Sequence, residues 1–319
     1  MSTGKRQRNM KIGKVEIQEG ALMAPLAGFT DVGMRALVRE LGASLTYTEM
    51  VSAKGLCYNS EKTRELLQIY PTEKPVAAQI FGGEPEFIGK ALHDESLAPF
   101  DIIDINMGCP VPKIVKNGEG SALLKDIDRA KRVVETAVEN SNGRPITVKM
   151  RIGFHNGEDI AVKFATALEE SGASAITVHG RTREQYYTGE ADWNVIAEVV
   201  KACHIPIIAN GDVVDKASYD EILKVTNAAG VMIGRGALGN AGIFSEILGK
   251  KPSMTHREML LFEIGVLEKY QNERYIYNTM KKNVCYYTKG MRNSKSIKAE
   301  VGRIDSLKEL YDIVNKYFD

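Results

Sequence analysis

The chain has 319 residues, roughly twice a usual single-domain length, which points either to two domains or to one large α/β barrel. With 44% hydrophobic and 26% charged residues it is excluded from the disordered classes, and 42 basic against 41 acidic residues rule out a chain that is basic throughout, although a local basic patch remains open. No apolar run reaches the roughly 18 residues of a membrane span, so none is expected. The four cysteines, Cys57, Cys109, Cys203 and Cys285, lie far apart and form no CxxC pair. No metal site is therefore expected, and the chain reads as a reduced, cytoplasmic protein. Lys5, Arg6 and Arg8 precede no apolar stretch, so they read as a disordered tail rather than a secretory signal.

Short apolar, β-branched runs predict strands at 21–25, 44–49, 75–81, 100–106, 145–151, 175–179, 205–210 and 230–234. Between them the apolar spacing turns helical. The segment 31–41 carries Val32, Ala36 and Leu37 and stops at Gly42, and 126–139 opens on an Asp cap with Ile127, Ala130, Val134 and Val138 on one face. Segments 159–171 and 193–201 read the same way. Eight alternating β and α units predict a parallel sheet closed into a (β/α)8 TIM barrel, with a doubly wound open sheet as the alternative. The stretch 106–120 is expected to form a mobile, non-helical loop because of its Gly and Pro content. After about residue 244 the strand pattern stops. Apolar positions Met259, Phe262, Val266 and Tyr270, then Leu307, Leu310, Val314 and Tyr317, predict a small C-terminal all-α domain over 245–319, following a barrel over 1–244.

In such a barrel the C-terminal strand ends form the active site. Here those ends carry polar or special residues: Pro25-Leu26-Ala27-Gly28, Glu49, Gln79, Asp104 to Cys109, Lys149 with Arg151, His179 with Arg181, Asn210-Gly211-Asp212 and Gly234-Arg235. Buried polar groups are unfavourable without partners, so eight of them around one mouth argue for function. The glycines after strands seven and eight, with Arg235, suit a phosphate, or else simply make tight turns. Lys149, inside an apolar strand, suits either a Schiff-base nucleophile or a cation facing an electron-rich cofactor ring. Cys109, between Gly108 and Pro110, suits a reactive thiol, whereas the other three cysteines read as small hydrophobes.

The runs Met-Ala-Pro-Leu-Ala-Gly-Phe-Thr-Asp at 23–31, Gln-Ile-Phe-Gly at 79–82, Asp-Ile-Asn-Met-Gly-Cys-Pro at 104–110, Val-Lys-Met-Arg at 148–151, His-Gly-Arg-Thr at 179–182 and Asn-Gly-Asp at 210–212 resemble the tRNA-dihydrouridine synthases, most closely the bacterial B-type branch. The likeness spans about residues 10–300, and the Asn-Met-Gly-Cys-Pro run is its most specific part. It implies reduction of a uridine in tRNA, with FMN in the barrel mouth and NADPH as electron source. It also implies that Pro25, Leu26 and Ala27 line the flavin, that Gln79, Lys149 and His179 face its ring, and that Asn210, Gly211, Asp212, Gly234 and Arg235 surround its ribityl phosphate. Cys109 would be the general acid that protonates uracil C5 after hydride reaches C6. Asn106, Arg151 and Arg181 would hold the uracil or a nearby phosphate.

Between residues 281 and 303 seven basic residues face one acidic residue, Glu300. Read with the resemblance, Lys281, Lys282 and Lys289 would contact tRNA phosphates; read alone, the segment is equally a solvated helical face. Two other functions compete. A barrel flavoenzyme acting on a free pyrimidine, similar to dihydroorotate dehydrogenase, would not need the basic tail. A non-catalytic RNA-binding protein would need neither Lys149 nor Cys109.

Overall fold

The structure, a computed structural model, describes residues 9–319, so Lys5, Arg6 and Arg8 lie outside the described residues. Eight parallel strand positions follow one another around a ring: Leu22–Met23, Thr46–Tyr47 with the offset piece Val51–Ser52, Val76–Phe81, Ile102–Met107, Ile146–Arg151, Ala175–His179, Ile207–Asn210 and Gly230–Ile233. From the second position onward each pairs in parallel with the next, and the eighth pairs with the first. A bridge between Leu22 and Leu45, with the Met23 N–H donating to the Leu45 carbonyl at 2.9 Å, closes the ring. An open doubly wound sheet is thereby excluded, and the (β/α)8 TIM barrel with a C-terminal helical region is the observed architecture.

The caps explain where the outer helices start. Asp31 accepts from the Met34 N–H to open Val32–Glu40, Asp126 accepts from Arg129 to open Ile127–Glu139, and Asp215 forms a capping box with Ser218 at the start of Lys216–Thr226. Three local features depart from the sequence expectation. First, the second strand position is split, because the Gln79 N–H donates to the Thr48 hydroxyl in place of a ladder carbonyl. Second, the stretch 106–120 is not free of helix: Pro112–Lys116 forms one turn, since Pro112 occupies the first helical position where its missing N–H has no cost. Third, an antiparallel hairpin, Met10–Ile12 with Val15–Ile17, precedes the barrel. Its Ile12 and Ile17 pack with Leu22, Leu45, Ala77, Ile102, Ile208 and Met232, which plugs the N-terminal end of the barrel with apolar side chains.

After the barrel, helix Ile243–Ile247 runs across the expected boundary at residue 244, and the Ser245 hydroxyl donates to the Leu41 carbonyl at 2.7 Å. Helices His256–Leu267, Glu273–Tyr287, Ser294–Val301 and Leu307–Tyr317 complete the tail. The first of these crosses the barrel helix Val32–Glu40 closely at Gly33, where an added Cβ would lie 2.8 Å from Leu267 Cγ. Tail and barrel therefore share one apolar core. Among the described residues, no helix is long and apolar enough to cross a membrane.

Candidate active site

Side chains alternate between the two faces of a strand, so an inward residue at the barrel floor places every second residue above it inward as well. Ala77, Ile102, Ala175, Ile208 and Met232 belong to the plugged apolar floor. Two positions higher, the same strands present Gln79, Asp104, Thr177, Asn210 and Gly234. The next layer is Asn106, Lys149 with Arg151 on strand five, and His179. Backbone alternation alone thus turns an apolar floor into a polar mouth.

A continuous hydrogen-bonded chain runs along this mouth over strands three to five. The Thr147 hydroxyl donates to Asp104 Oδ1 at 2.6 Å, Gln79 Nε2 donates to Asp104 Oδ2 at 2.7 Å, and Asn106 Nδ2 donates to Gln79 Oε1 at 2.8 Å. Asn106 Oδ1 then accepts from the backbone N–H of Cys109 at 2.9 Å and of Gly108 at 3.2 Å. From the other side, the Ser121 N–H and hydroxyl both donate to the Cys109 carbonyl, at 3.1 and 2.8 Å. Cys109 is therefore anchored on both sides, not carried on a loose loop as the Gly and Pro content suggested. Burial pushes its thiol above the ordinary range, while the Val111 N–H, Arg151 and Lys149 pull it partly back. The thiol is protonated at neutral pH, the state an acid requires.

On the adjacent strand, beside Asn106, Lys149 reaches to strand seven: its Nζ donates to Asn210 Oδ1 at 3.1 Å, and Asn210 Nδ2 donates to the Met232 carbonyl at 2.8 Å. Burial, then the neighbouring Arg151, lowers the Lys149 ammonium to about 8. An ammonium has three N–H donors, so two remain for another partner. His179 is held well below its ordinary value, by burial and then by Lys149, Arg151, Arg181 and Arg235, so its imidazole is neutral. Asp104 is pushed up to about 6 by burial, against the hydrogen bonds from Gln79 and Thr147. Arg151 donates through Nε to the Gly108 carbonyl at 2.9 Å and through Nη1 to Thr182 and Tyr186. It thus braces the cysteine segment from below.

The loops after strands seven and eight approach through glycine. An added Cβ at Gly211, whose φ is +133°, would lie 2.6 Å from Ala191 Cβ, and one at Gly236 would lie 2.1 Å from the Val213 carbonyl oxygen. At Gly234 the nearest atom to an added Cβ is 3.6 Å away, which leaves the strand-eight end open. Arg235 is half exposed beside it, and its guanidinium stands 4.5 Å from the Tyr187 ring centre. Two expected ligand-facing residues are instead paired with each other. Arg181 Nη1 and Nη2 donate to both oxygens of Asp212 at 2.7 and 2.8 Å, and its remaining contacts are the Thr188 and Gly189 carbonyls. Asp212 also accepts from the Ala191 N–H at 2.7 Å. The pair clamps the loop after strand six to the loop after strand seven, and Asp212, a third exposed, also lies 3.6 Å from the Arg235 guanidinium.

The strand-one loop is held at its backbone. The Leu26 N–H donates to Thr30 Oγ1 at 2.9 Å, and the Gly28 N–H donates to Glu49 Oε2. Pro25, Leu26 and Ala27 thereby form a fixed rim at the mouth. Of the three tail lysines, Lys282 reaches this rim: its Nζ donates to the Gly28 carbonyl at 2.8 Å. Lys281 lies 5.3 Å over the Tyr277 ring, and Lys289 is exposed past the end of the same helix. Sequence reasoning placed Asp104 at the mouth but gave it no role, and it did not single out Thr147. The signal for Asp104 was its place two residues before Asn106, which puts both on the inner face.

A family model described as dihydrouridine synthase matches residues 22–318. The chain belongs to the dihydrouridine synthase family. It is 35% identical over 317 residues to a "Probable tRNA-dihydrouridine synthase 1" of Synechocystis sp., covering 96% of this chain and 88% of that one. It is 33% identical over 318 residues to "tRNA-dihydrouridine synthase B" of Pseudomonas syringae pv. tomato, covering 97% and 94%. Among solved structures it is similar to morphinone reductase, with a TM-score of 0.58 at 12% identity over 79% of this chain and 92% of that one. It is also similar to a histamine dehydrogenase from Rhizobium sp. 4-9, with a TM-score of 0.60 at 12% identity over 88% and 51%. At that identity the two structures speak to the shared barrel fold. Family membership favours the expected reading over the free-pyrimidine enzyme.

Proposed function

We propose that this chain is a cytoplasmic tRNA-dihydrouridine synthase that reduces the C5–C6 double bond of a uridine in tRNA, using FMN at the barrel mouth and NADPH as electron donor. The observation that carries the reading is that a protonated, doubly anchored Cys109 and the cation Lys149 come from adjacent strands at one polar mouth.

The residues fit a flavin mononucleotide. Lys149 supplies a cation with two free donors, suited to a ring that becomes negative on reduction. Gln79 and the neutral His179 flank the same mouth, and Leu26 and Ala27 form its opposite rim. Asn210, Gly211 and Gly234, with the half-exposed Arg235, make a small, open and positively charged end for a phosphate. In this reading Asp212 serves that end by locking its loop to Arg181.

When bound, FMN supplies the hydride that adds to uracil C6. The protein's own work is then proton delivery and placement. Cys109 Sγ gives its proton to C5, completing addition of one hydride and one proton across the double bond and leaving a thiolate near Arg151 and Lys149. Asn106 and Arg151, both next to the cysteine segment, orient the base. The target uridine must leave its stack to enter the barrel, and the basic tail over 245–319 holds the surrounding tRNA through Lys281, Lys282 and Lys289. The test is incubation of the flavin-loaded protein with unmodified tRNA and NADPH, followed by nucleoside mass spectrometry. Dihydrouridine is expected. Oxidation of NADPH with reduction of free uracil or orotate and none of tRNA would favour the free-pyrimidine enzyme.

A further inference from the structure

The chain Thr147–Asp104–Gln79–Asn106–Cys109 has a direction. Ionised Asp104 can only accept hydrogen bonds, so Gln79 must turn its NH2 toward it. That leaves Gln79 Oε1, also only an acceptor, facing Asn106, so Asn106 must present Nδ2. Asn106 Oδ1 is then the atom left to accept the Gly108 and Cys109 N–H groups. Asp104 is fully buried, makes no contact with Cys109, and its two oxygens are filled by Thr147 and Gln79. Its carboxylate is the one member of the chain whose polarity cannot be reversed by rotation.

We propose that Asp104 is a positioning residue that fixes the amide orientations of Gln79 and Asn106, and through them holds the backbone of Cys109 in place. Its catalytic consequence rests on the reading of Cys109 as the acid, but the structural coupling does not. Were Gln79 and Asn106 both reversed, the Asn106 NH2 would meet the Cys109 N–H, donor against donor, and the hold on the cysteine would be lost.

Transposing the charge tests this. In Asp104→Asn the amide at 104 can face Gln79 with either its oxygen or its NH2, so nothing forces Gln79 and Asn106 into the orientations that present Asn106 Oδ1 to Cys109. In the double variant Asp104→Asn/Asn106→Asp, an Asn at 104 takes the Thr147 proton at Oδ1 and donates Nδ2 to Gln79 Oε1. Gln79 then donates to the Asp at 106, whose other oxygen accepts from Cys109. The net charge is that of the natural chain, and the direction is reversed without conflict.

Flavin-loaded proteins are compared at about pH 8, where carboxylates are ionised. The measurements are amide hydrogen exchange in the peptide spanning Gly108 and Cys109, and the rate of iodoacetamide alkylation of Cys109. The single variant Asp104→Asn is expected to speed both by about tenfold or more, the scale of leaving a buried donor without its acceptor. The double variant is expected to return both to within about threefold of the natural protein. Equal acceleration in single and double variants would overturn the proposal. If Asp104→Asn does not fold, recovery of folding in the double variant is the supporting result. Failure of the double variant to fold while Asp104→Asn folds is the overturning one. The acid reading is judged separately by dihydrouridine formation in Cys109→Ala: coupling in exchange together with an active Cys109→Ala would keep the positioning role and discard the acid.

Discussion

Lys282 Nζ donates to the carbonyl oxygen of Gly28 at 2.8 Å, across 254 residues of chain, and stands 5.2 Å over the ring of the next residue, Phe29. The same Gly28 gives its N–H to Glu49. One residue of the strand-one rim is thus gripped at its N–H by a barrel carboxylate and at its carbonyl by a helix of the tail. Tyr286, one turn on from Lys282, packs edge-on against Phe29 with ring centres 5.5 Å apart. The tail helix is therefore set beside the mouth of the barrel. Lys282 keeps two donors beyond Gly28, and an ammonium can hold a phosphate and a carbonyl together.

If the tail grips phosphates, replacing Lys281, Lys282 and Lys289 by alanine weakens tRNA binding and flattens its salt dependence. Each lost phosphate contact lowers the slope of log affinity against log salt by about 0.7–0.9. Flavin content and tRNA-independent NADPH oxidation stay near those of the natural protein for Lys281 and Lys289 singly, whereas Lys282→Ala also loosens the rim. Filter binding at several salt concentrations checks this, and an unchanged slope in the triple variant refutes an RNA role for the segment.

Cys109→Ala is expected to keep its flavin and to oxidise NADPH, because the thiol acts only on the uracil. Dihydrouridine formation should fall by about 10²–10⁴-fold, the usual worth of a positioned acid. Single-turnover reoxidation of the reduced protein by unmodified tRNA measures it directly, and a rate within a few-fold of the natural protein would discard the assignment.

Lys149 gives a pH prediction with a definite sign. Its folded-state value, about 8, lies below the ordinary lysine value of 10.5, so the fold is penalised while the ammonium is charged, and this penalty is relieved progressively as pH rises from about 8 toward 10.5. An anionic ring facing it favours the charged form and moves the transition upward. Affinity for reduced flavin should therefore weaken as pH climbs past about 8, and Lys149→Met should bind reduced flavin more weakly at neutral pH and show no such inflection. Potentiometric titration across that range is the check; an identical profile in the variant would remove Lys149 from the flavin's surroundings.

The barrel also contains a fully buried ion pair. Arg35 Nε donates to Glu73 Oε1 at 2.6 Å, and its Nη1 donates to the Thr30 carbonyl at 2.8 Å, while Thr46 also donates to Glu73. Glu73→Ala strands a buried guanidinium and should cost about 3–5 kcal/mol. Replacing both partners by apolar residues of similar size should recover much of that loss. Urea unfolding of the single and double variants tests it, and a single variant as stable as the natural protein would contradict the account.

The barrel was legible in the sequence because each strand is buried on both faces and reads as a short β-branched run, such as 102–107 or 146–151, punctuated by helix caps such as Asp31 and Asp126. The plug hairpin at Met10–Ile12 and Val15–Ile17 was not, because three-residue strands leave too little alternation to detect. The helix at Pro112 was obscured by the residue that starts it. Within the site, Lys149 and Cys109 stood out by residue type in an unusual setting. The mutual engagement of Arg181 and Asp212 did not, because two charged strand-end residues 31 apart look alike whether they face a ligand or each other. The direction of the Asp104 chain is a property of hydrogen-bond partners, which no spacing records.

The most direct test of the central claim is an anaerobic single turnover. The protein is loaded with FMN, reduced with one equivalent of NADPH and mixed with tRNA lacking all modification, and flavin reoxidation is followed alongside dihydrouridine content. The account predicts reoxidation matched mole for mole by new dihydrouridine in the tRNA. Reduced flavin that persists with tRNA but is reoxidised by a free pyrimidine would contradict it.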